Sequence, residues 1–103
     1  MQEIERIQRM EQALDELTAS QKDVFAALEA FSKHLEQWRE LSEYYGSEAF
    51  YHDLALDEAG KLPSDLKRGV LSEDAVYDLI TELSTLADEM QSTADRIKTY
   101  MVK

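Results

Sequence analysis

The chain has 103 residues, of which 44% are hydrophobic, with no cysteine, three glycines, one proline and a formal net charge of −11. The lack of cysteine excludes disulfide bridges, thiolate zinc sites and cysteine nucleophiles, and the acidic excess disfavours direct binding to nucleic acids and anionic membranes, which requires concentrated Lys and Arg. So many apolar residues with so few turn formers predict a single all-α domain over residues 1–103, rather than a disordered or all-β chain.

The first predicted element is a long helix over residues 2–45, which contain no glycine or proline. Ten of twelve positions in two heptad columns are apolar or aromatic, the pattern of a helix packed in a bundle or coiled coil. The columns are Ile7, Leu14, Gln21, Leu28, Leu35, Ser42 and Met10, Leu17, Val24, Phe31, Trp38, Tyr45. Residues 18–23 are the weakest stretch, because Gln21 interrupts the apolar seam there, but we expect the helix to continue through them.

Residues 46–72 form a predicted connector that contains all three glycines and the proline. Gly46 is placed to end the first helix, and Ser47 to cap a short helix over about 48–59 that Gly60 ends. Pro63 is placed to begin one further helical turn, and Gly69 to end it.

A last helix is predicted over residues 73–101, with Ser72 as its cap and an apolar stripe that includes Val76. At 1.5 Å per residue the first helix is about 66 Å long and the last about 44 Å. We expect the two to form an antiparallel hairpin, with the short middle helix covering the remaining end of the first. This is a three-helix, bundle-like arrangement, and it buries so little surface that a homodimer is compatible with it.

Three sequence motifs give a family resemblance. They are YYGS over Tyr44 to Ser47, DEAGKLP over Asp57 to Pro63, and GVLSED over Gly69 to Asp74 followed by Tyr77. In this combination, and over essentially its whole length, the chain resembles the bacterial family called domain of unknown function 4298. The resemblance implies an all-helical protein, and it implies no activity, substrate or catalytic residue.

The candidate chemistry in the sequence is weak. Glu48 and His52 are four residues apart and would share a helix face, but no H-E-x-x-H motif or calcium-binding loop is present. Ser47, Ser64 and Ser72 lie where caps are expected, and the sequence has neither a G-x-S-x-G nucleophile turn nor a glycine-rich phosphate loop. We therefore expect a protein that is not an enzyme and has no cofactor, and we keep a metal or small-ligand site in the central segment as a weaker alternative.

The aromatic residues of segment 44–78 are the stronger functional signal, because Tyr combines a large apolar area with a polar end. Most of them are expected to fix the middle segment, with Tyr44 and Tyr51 left exposed to a protein partner. The predicted function is a non-catalytic interaction module or adaptor. Its candidate partner-binding residues are Tyr44, Tyr45, Phe50, Tyr51, Asp57, Lys67, Arg68, Asp74 and Tyr77.

An alternative of another class is an acidic inhibitor or nucleic-acid mimic that blocks a basic cleft on an enzyme. The net charges of residues 1–45, 46–72 and 73–103 are −5, −2 and −4, so the acids are spread out rather than concentrated. The first ten residues, MQEIERIQRM, lack the apolar stretch of a secretory signal peptide. The sequence also has no run of about 18 apolar residues, the length that a membrane-spanning helix needs. We therefore expect a cytoplasmic protein that does not contact the membrane.

Overall fold

The computed structural model of the chain describes residues 1–72 and 74–101. In chain order its elements are α1 (Gln2–Ser32), α2 (Leu35–Tyr44), α3 (Glu48–Glu58), a 3-10 turn (Gly69–Leu71) and α4 (Ala75–Met101). No strand occurs in the ranges that the structure describes, and the all-α prediction is confirmed. The predicted start of the last helix at Glu73 lies outside the described residues.

The first predicted helix is divided, but not where its sequence is weakest. Residues 18–23 are helical, as predicted, and the helix predicted over 2–45 is present as α1 and α2 with a bend between them, since α1 ends at Ser32 and α2 begins at Leu35. The hydroxyl of Ser32 donates to the carbonyl of Glu29 at 2.9 Å. The amide of His34 donates to the carbonyl of Phe31, three residues back, where a regular α-helix would use the carbonyl of Ala30. Hydroxyl back-bonding and a tightened turn are common causes of helix bending.

Two compact units make up the chain, Met1–Glu43 and Tyr44–Lys103, which we call the N-terminal and C-terminal units. The antiparallel pairing of the first and last helices stays a prediction. In the N-terminal unit, α1 and α2 contain no buried residue. Eight large apolar side chains of α1 are exposed and together form what we call the α1 stripe: Ile4, Ile7, Met10, Leu14, Leu17, Val24, Phe25 and Leu28.

The C-terminal unit begins with the predicted turn and cap. Gly46 has a φ of 81°, a left-handed conformation that favours glycine, and the side chain of Ser47 accepts a hydrogen bond from the amide of Phe50. At the other end of α3, Gly60 has a φ of 70°, and its amide and that of Lys61 bond the carbonyls of Asp57 and Leu56 at 3.0 Å. This pairing satisfies the last carbonyls of α3, so both predicted glycine signals are confirmed.

The connection between α3 and α4 departs from the prediction at Gly69. A turn closes between Pro63 and Leu66, but Gly69 begins the 3-10 turn and lacks the positive φ of a helix-ending glycine. The prediction that Gly69 terminates a helical turn is therefore wrong. Ser72 does cap α4, since its hydroxyl accepts from the amide of Ala75 at 3.3 Å.

Two side chains form the buried core of the described residues: Phe50 in α3, which is 7% exposed, and Val76 in α4, which is 3% exposed. Both belong to the C-terminal unit. The core therefore lies in the part of the chain that contains the turns.

Candidate functional site

The turn region, residues 44–78, contains an aromatic cluster centred on Phe50. The ring centroids of Tyr44, Tyr45 and Tyr51 lie 5.6, 5.2 and 5.3 Å from that of Phe50, and every pair meets edge to face. This geometry suits aromatic rings, whose positive edges are attracted to negative faces. The cluster arises because Gly46 turns the chain back, so that Tyr44 and Tyr45 contact the first turn of α3.

Members of the cluster differ sharply in exposure. Tyr44 and Tyr45 are half-buried, whereas Tyr51 is 61% exposed while its ring still contacts Phe50. The expectation that Tyr44 would be exposed is wrong. Its hydroxyl donates to Oδ2 of Asp53 at 2.6 Å, a bond between residues nine apart.

The bond to Asp53 also changes the acid–base chemistry of Tyr44. Because the hydroxyl proton is held by Asp53, the pKa of the Tyr44 phenol is raised above its ordinary value, and burial and the charge of Asp53 act in the same direction. Tyr44 is therefore a neutral hydrogen-bond donor. This state suits a structural role and is the opposite of what a catalytic phenolate needs.

A second set of contacts, which we call the Arg68 clamp, fixes the connection after α3. Nη1 of Arg68 pairs with Oδ1 of Asp57 at 2.5 Å, Nη2 donates to the carbonyl of Pro63 at 2.6 Å, and Nε lies 3.4 Å from the carbonyl of Leu66. The rigid fork of a guanidinium can bond a carboxylate and two carbonyls at once. All three nitrogens of Arg68 thus contact their own chain.

The predicted site residues fall into two groups. Inside the fold or engaged in it are Tyr44, Tyr45, Phe50, Asp57 and Arg68, whereas Tyr51, Lys67, Asp74 and Tyr77 are exposed. Sequence reasoning did not single out Leu66, which is 48% exposed although it is apolar. Its position in the turn after Pro63 was the available signal, because turns lie at the surface. We call the exposed side chains Tyr51, Leu66, Lys67, Asp74 and Tyr77 the exposed set.

The described residues also bear on three other kinds of function: metal binding, catalysis by a serine and crossing of a membrane. Among the residues that the structure describes, no group of three or more His, Asp or Glu side chains is arranged to hold a metal ion. The hydroxyls of Ser47 and Ser72 donate to the carbonyls of Tyr44 and Gly69, both at 2.6 Å, while they cap the next helix. None of the described helices is both long and apolar enough to cross a membrane.

Comparison with known proteins gives a single kind of match. The family model described as Domain of unknown function (DUF4298) matches residues 7–93, which include the whole turn region. No curated protein and no solved structure matches the chain.

Proposed function

Because this chain belongs to the family Domain of unknown function (DUF4298), we propose its function from its own surface: it is a non-catalytic protein that binds another protein through the turn region. The exposed set supplies the contacts, and the aromatic cluster and the Arg68 clamp keep that region in one conformation. We further propose that it acts in the cytoplasm, since its sequence has no cysteine.

One observation carries this proposal: Tyr51 is 61% exposed, yet its ring packs edge to face on the buried ring of Phe50 at 5.3 Å. An exposed tyrosine that is free to rotate would lose that freedom on binding. A ring already fixed by a neighbour loses less and binds better for the same contact area. Tyrosine is also among the residues that contribute most to binding energy at protein interfaces.

Further exposed side chains around the turns support the same function. Tyr77 in the first turn of α4 is 62% exposed and Leu66 is 48% exposed, while Lys67 and Asp74 contribute one charge of each sign. Apolar and aromatic anchors accompanied by polar groups are the composition of ordinary protein interfaces. A carboxylate-lined mimic of nucleic acid would not need exposed aromatic rings.

The non-catalytic part of the proposal is supported by the occupied state of the reactive side chains. Ser47 and Ser72 are engaged as caps, and Tyr44 holds its proton in the bond to Asp53. A nucleophile needs a neighbouring base that removes its proton. The hydroxyls of Ser47 and Ser72 donate to backbone carbonyls, and the carboxylate of Asp53 raises the pKa of the Tyr44 hydroxyl instead of removing its proton.

Photo-crosslinking tests this function at single residues. Tyr51 is replaced by a photoreactive phenylalanine analogue in cells of the native host, with the same replacement at Tyr100 as the matched control, because Tyr100 is 73% exposed but lies near the end of α4. We expect one specific crosslinked protein from position 51 and none from position 100. Identical crosslinks from both positions, or none from position 51, would contradict the proposal.

The captured partner then permits a quantitative test in solution. The double variant Y51A/Y77A should bind it roughly tenfold or more weakly than the parent chain, while Y100A binds unchanged, with circular dichroism showing that all three are equally helical. If binding instead survives Y51A/Y77A and is lost in E58Q/D65N, which changes two exposed carboxylates outside the exposed set, the protein is an acidic mimic and the proposal fails.

A further inference from the structure

The α1 stripe is a large apolar surface that the proposed function does not use. None of the 31 residues of α1 is buried, and the eight side chains of the stripe are between 44% and 72% exposed. Six of them occupy the a and d positions of the heptads that begin at Ile7, and Ile4 and Phe25 flank this seam at e positions. The exposed apolar residues thus form a seam along one face, interrupted once by Gln21, and are not scattered.

Little within α1 itself stabilises the helix. Its N-cap, Met1, makes no side-chain hydrogen bond, and the side-chain contacts that the structure describes along it are local, such as Gln12 with Glu16 at 3.0 Å. Helices in water depend mainly on the packing of an apolar face against another element. Covering the stripe with another element would therefore stabilise α1 more than any contact within the helix does.

We propose that a second copy of this chain, rather than α4 of the same chain, covers the stripe, with the two α1 helices parallel in a two-stranded coiled coil. Gln21 favours this occupant. In a parallel pair each a residue faces its counterpart, so the amide of Gln21 meets the amide of Gln21 of the second copy and the two can exchange hydrogen bonds. In an antiparallel pair it would face a d position, which is apolar throughout the heptads that begin at Ile7, and a buried amide without a partner is costly.

The charges beside the seam also fit a parallel second copy. In that arrangement a g residue of one helix approaches the e residue five positions later on the other. Arg6 is at g and Glu11 at e, so two-fold symmetry gives two such pairs of opposite charge. Both side chains are exposed, and the remaining flanking positions from 13 to 27 are uncharged, so no like charges oppose each other.

The available area is sufficient for a stable dimer. With a fully exposed large side chain presenting on the order of 150 Å², the stripe offers roughly 700 Å² of apolar side-chain surface from each helix. A standard protein interface removes about 800 Å² from each partner once flanking polar atoms are included. The stripe by itself therefore supplies most of the area of a standard interface.

Cysteine crosslinking tests the pairing directly, because the chain has no cysteine of its own. In the variant Q21C, a parallel dimer brings the two new thiols within disulfide range, whereas the matched control A19C places them on opposite outer faces. We expect Q21C to form a reducible dimer roughly tenfold or more faster than A19C under mild oxidation.

Two results would overturn the proposal. One is equal crosslinking of Q21C and A19C. The other is a disulfide that forms only when Q21C and V24C chains are mixed, because that pattern requires antiparallel helices.

A second measurement does not depend on disulfide chemistry. One chain has a mass of 11.9 kDa. Analytical ultracentrifugation of the unmodified chain should give twice that mass, and the dimer should dissociate on dilution. L17E, which places a charge in the seam, should shift it to the monomer, whereas A19E on the outer face should not. A monomer at every concentration, or equal masses for L17E and A19E, would refute the dimer.

Discussion

The two units use different kinds of contact. In the N-terminal unit the ion pairs of Lys33 with Glu29 and of Arg39 with Glu36 and Glu43 join exposed residues three or four apart, and no residue of α1 or α2 is buried. In the C-terminal unit, bonds join residues nine and eleven apart, and two of the side chains that the structure describes are buried. Exposed pairs along a helix contribute little, so the C-terminal unit contains its own stabilising contacts and the N-terminal unit depends on what covers it.

The largest expected effect comes from removing the centre of the aromatic cluster. Phe50→Ala should lower the free energy of unfolding by about 3 kcal/mol, because it deletes a buried ring and leaves a cavity beside three tyrosines. Urea denaturation followed by circular dichroism measures this loss, which should not depend on protein concentration.

Leu17→Ala is the matched change in the N-terminal unit, at a side chain that is 72% exposed. In dilute protein it should cost less than about 0.5 kcal/mol, as surface substitutions usually do, and more as concentration rises and the α1 stripe becomes covered. If Phe50→Ala cost no more than Leu17→Ala in dilute protein, the contrast between the units would be wrong.

The Arg68 clamp should give the next largest effect. Arg68→Ala should lower the free energy of unfolding by about 2 kcal/mol, since it leaves the partly buried carboxylate of Asp57 without its charge-assisted bond. Arg68→Lys should retain little of that stability, because a lysine has no fork to bond the carboxylate and the carbonyl of Pro63 together. Chemical denaturation of the three proteins measures both changes.

Arg39 supplies the control for the clamp, because it also pairs with two carboxylates but lies on the exposed surface of α2. Arg39→Ala should have little measurable effect on unfolding. Equal losses for Arg39→Ala and Arg68→Ala would show that the clamp stabilises no more than a surface ion pair.

The glycines that end α2 and α3 should have a smaller effect. Gly46→Ala and Gly60→Ala should each cost about 1 kcal/mol, because an alanine is strained at positive φ even though the space around both sites is open. Gly69→Ala is the control, with open space and no positive φ, and should be close to neutral. Thermal unfolding of the three variants separates backbone strain from crowding, and an equal loss at Gly69 would contradict this explanation.

The smallest expected effect is the pH-dependent contribution of Tyr44. Its pKa in the folded state is raised, so the stability from its protonated form is fully present below its ordinary pKa of about 10 and is lost as pH rises through the raised value. Tyr44→Phe should therefore melt slightly below the parent chain at pH 7 to 9, with the difference shrinking in more alkaline solution. A difference that stayed constant to high pH would show that the bond to Asp53 does not contribute.

Much of the local structure was predictable because its signals act over a few residues. Ser47, Ser72, Gly46 and Gly60 cap or end helices through bonds to backbone groups within about one turn. The break at Lys33 was missed for a related reason. Its signal is a single serine hydroxyl that bonds back to Glu29, and serine lies in many helices without breaking them.

The candidate site was predictable as a region but not residue by residue. The concentration of tyrosines and glycines correctly indicated where the aromatic cluster would lie. Which rings stay exposed depends on partners elsewhere in the chain. The hydroxyl of Tyr44 donates to Asp53, whereas most of the surface of Tyr51 contacts solvent. Nothing in the types of these two residues distinguishes them.

By itself the sequence determined an all-helical chain, most of its helix ends and the heptad stripe of α1, because these follow from periodicity and from bonds between near neighbours. Only the tertiary structure decided that Phe50 and Val76 form the core, that Arg68 contacts its own chain and that Tyr51 remains exposed. Burial and long-range hydrogen bonding depend on which residues the folded backbone brings together. That information belongs to no single stretch of the sequence.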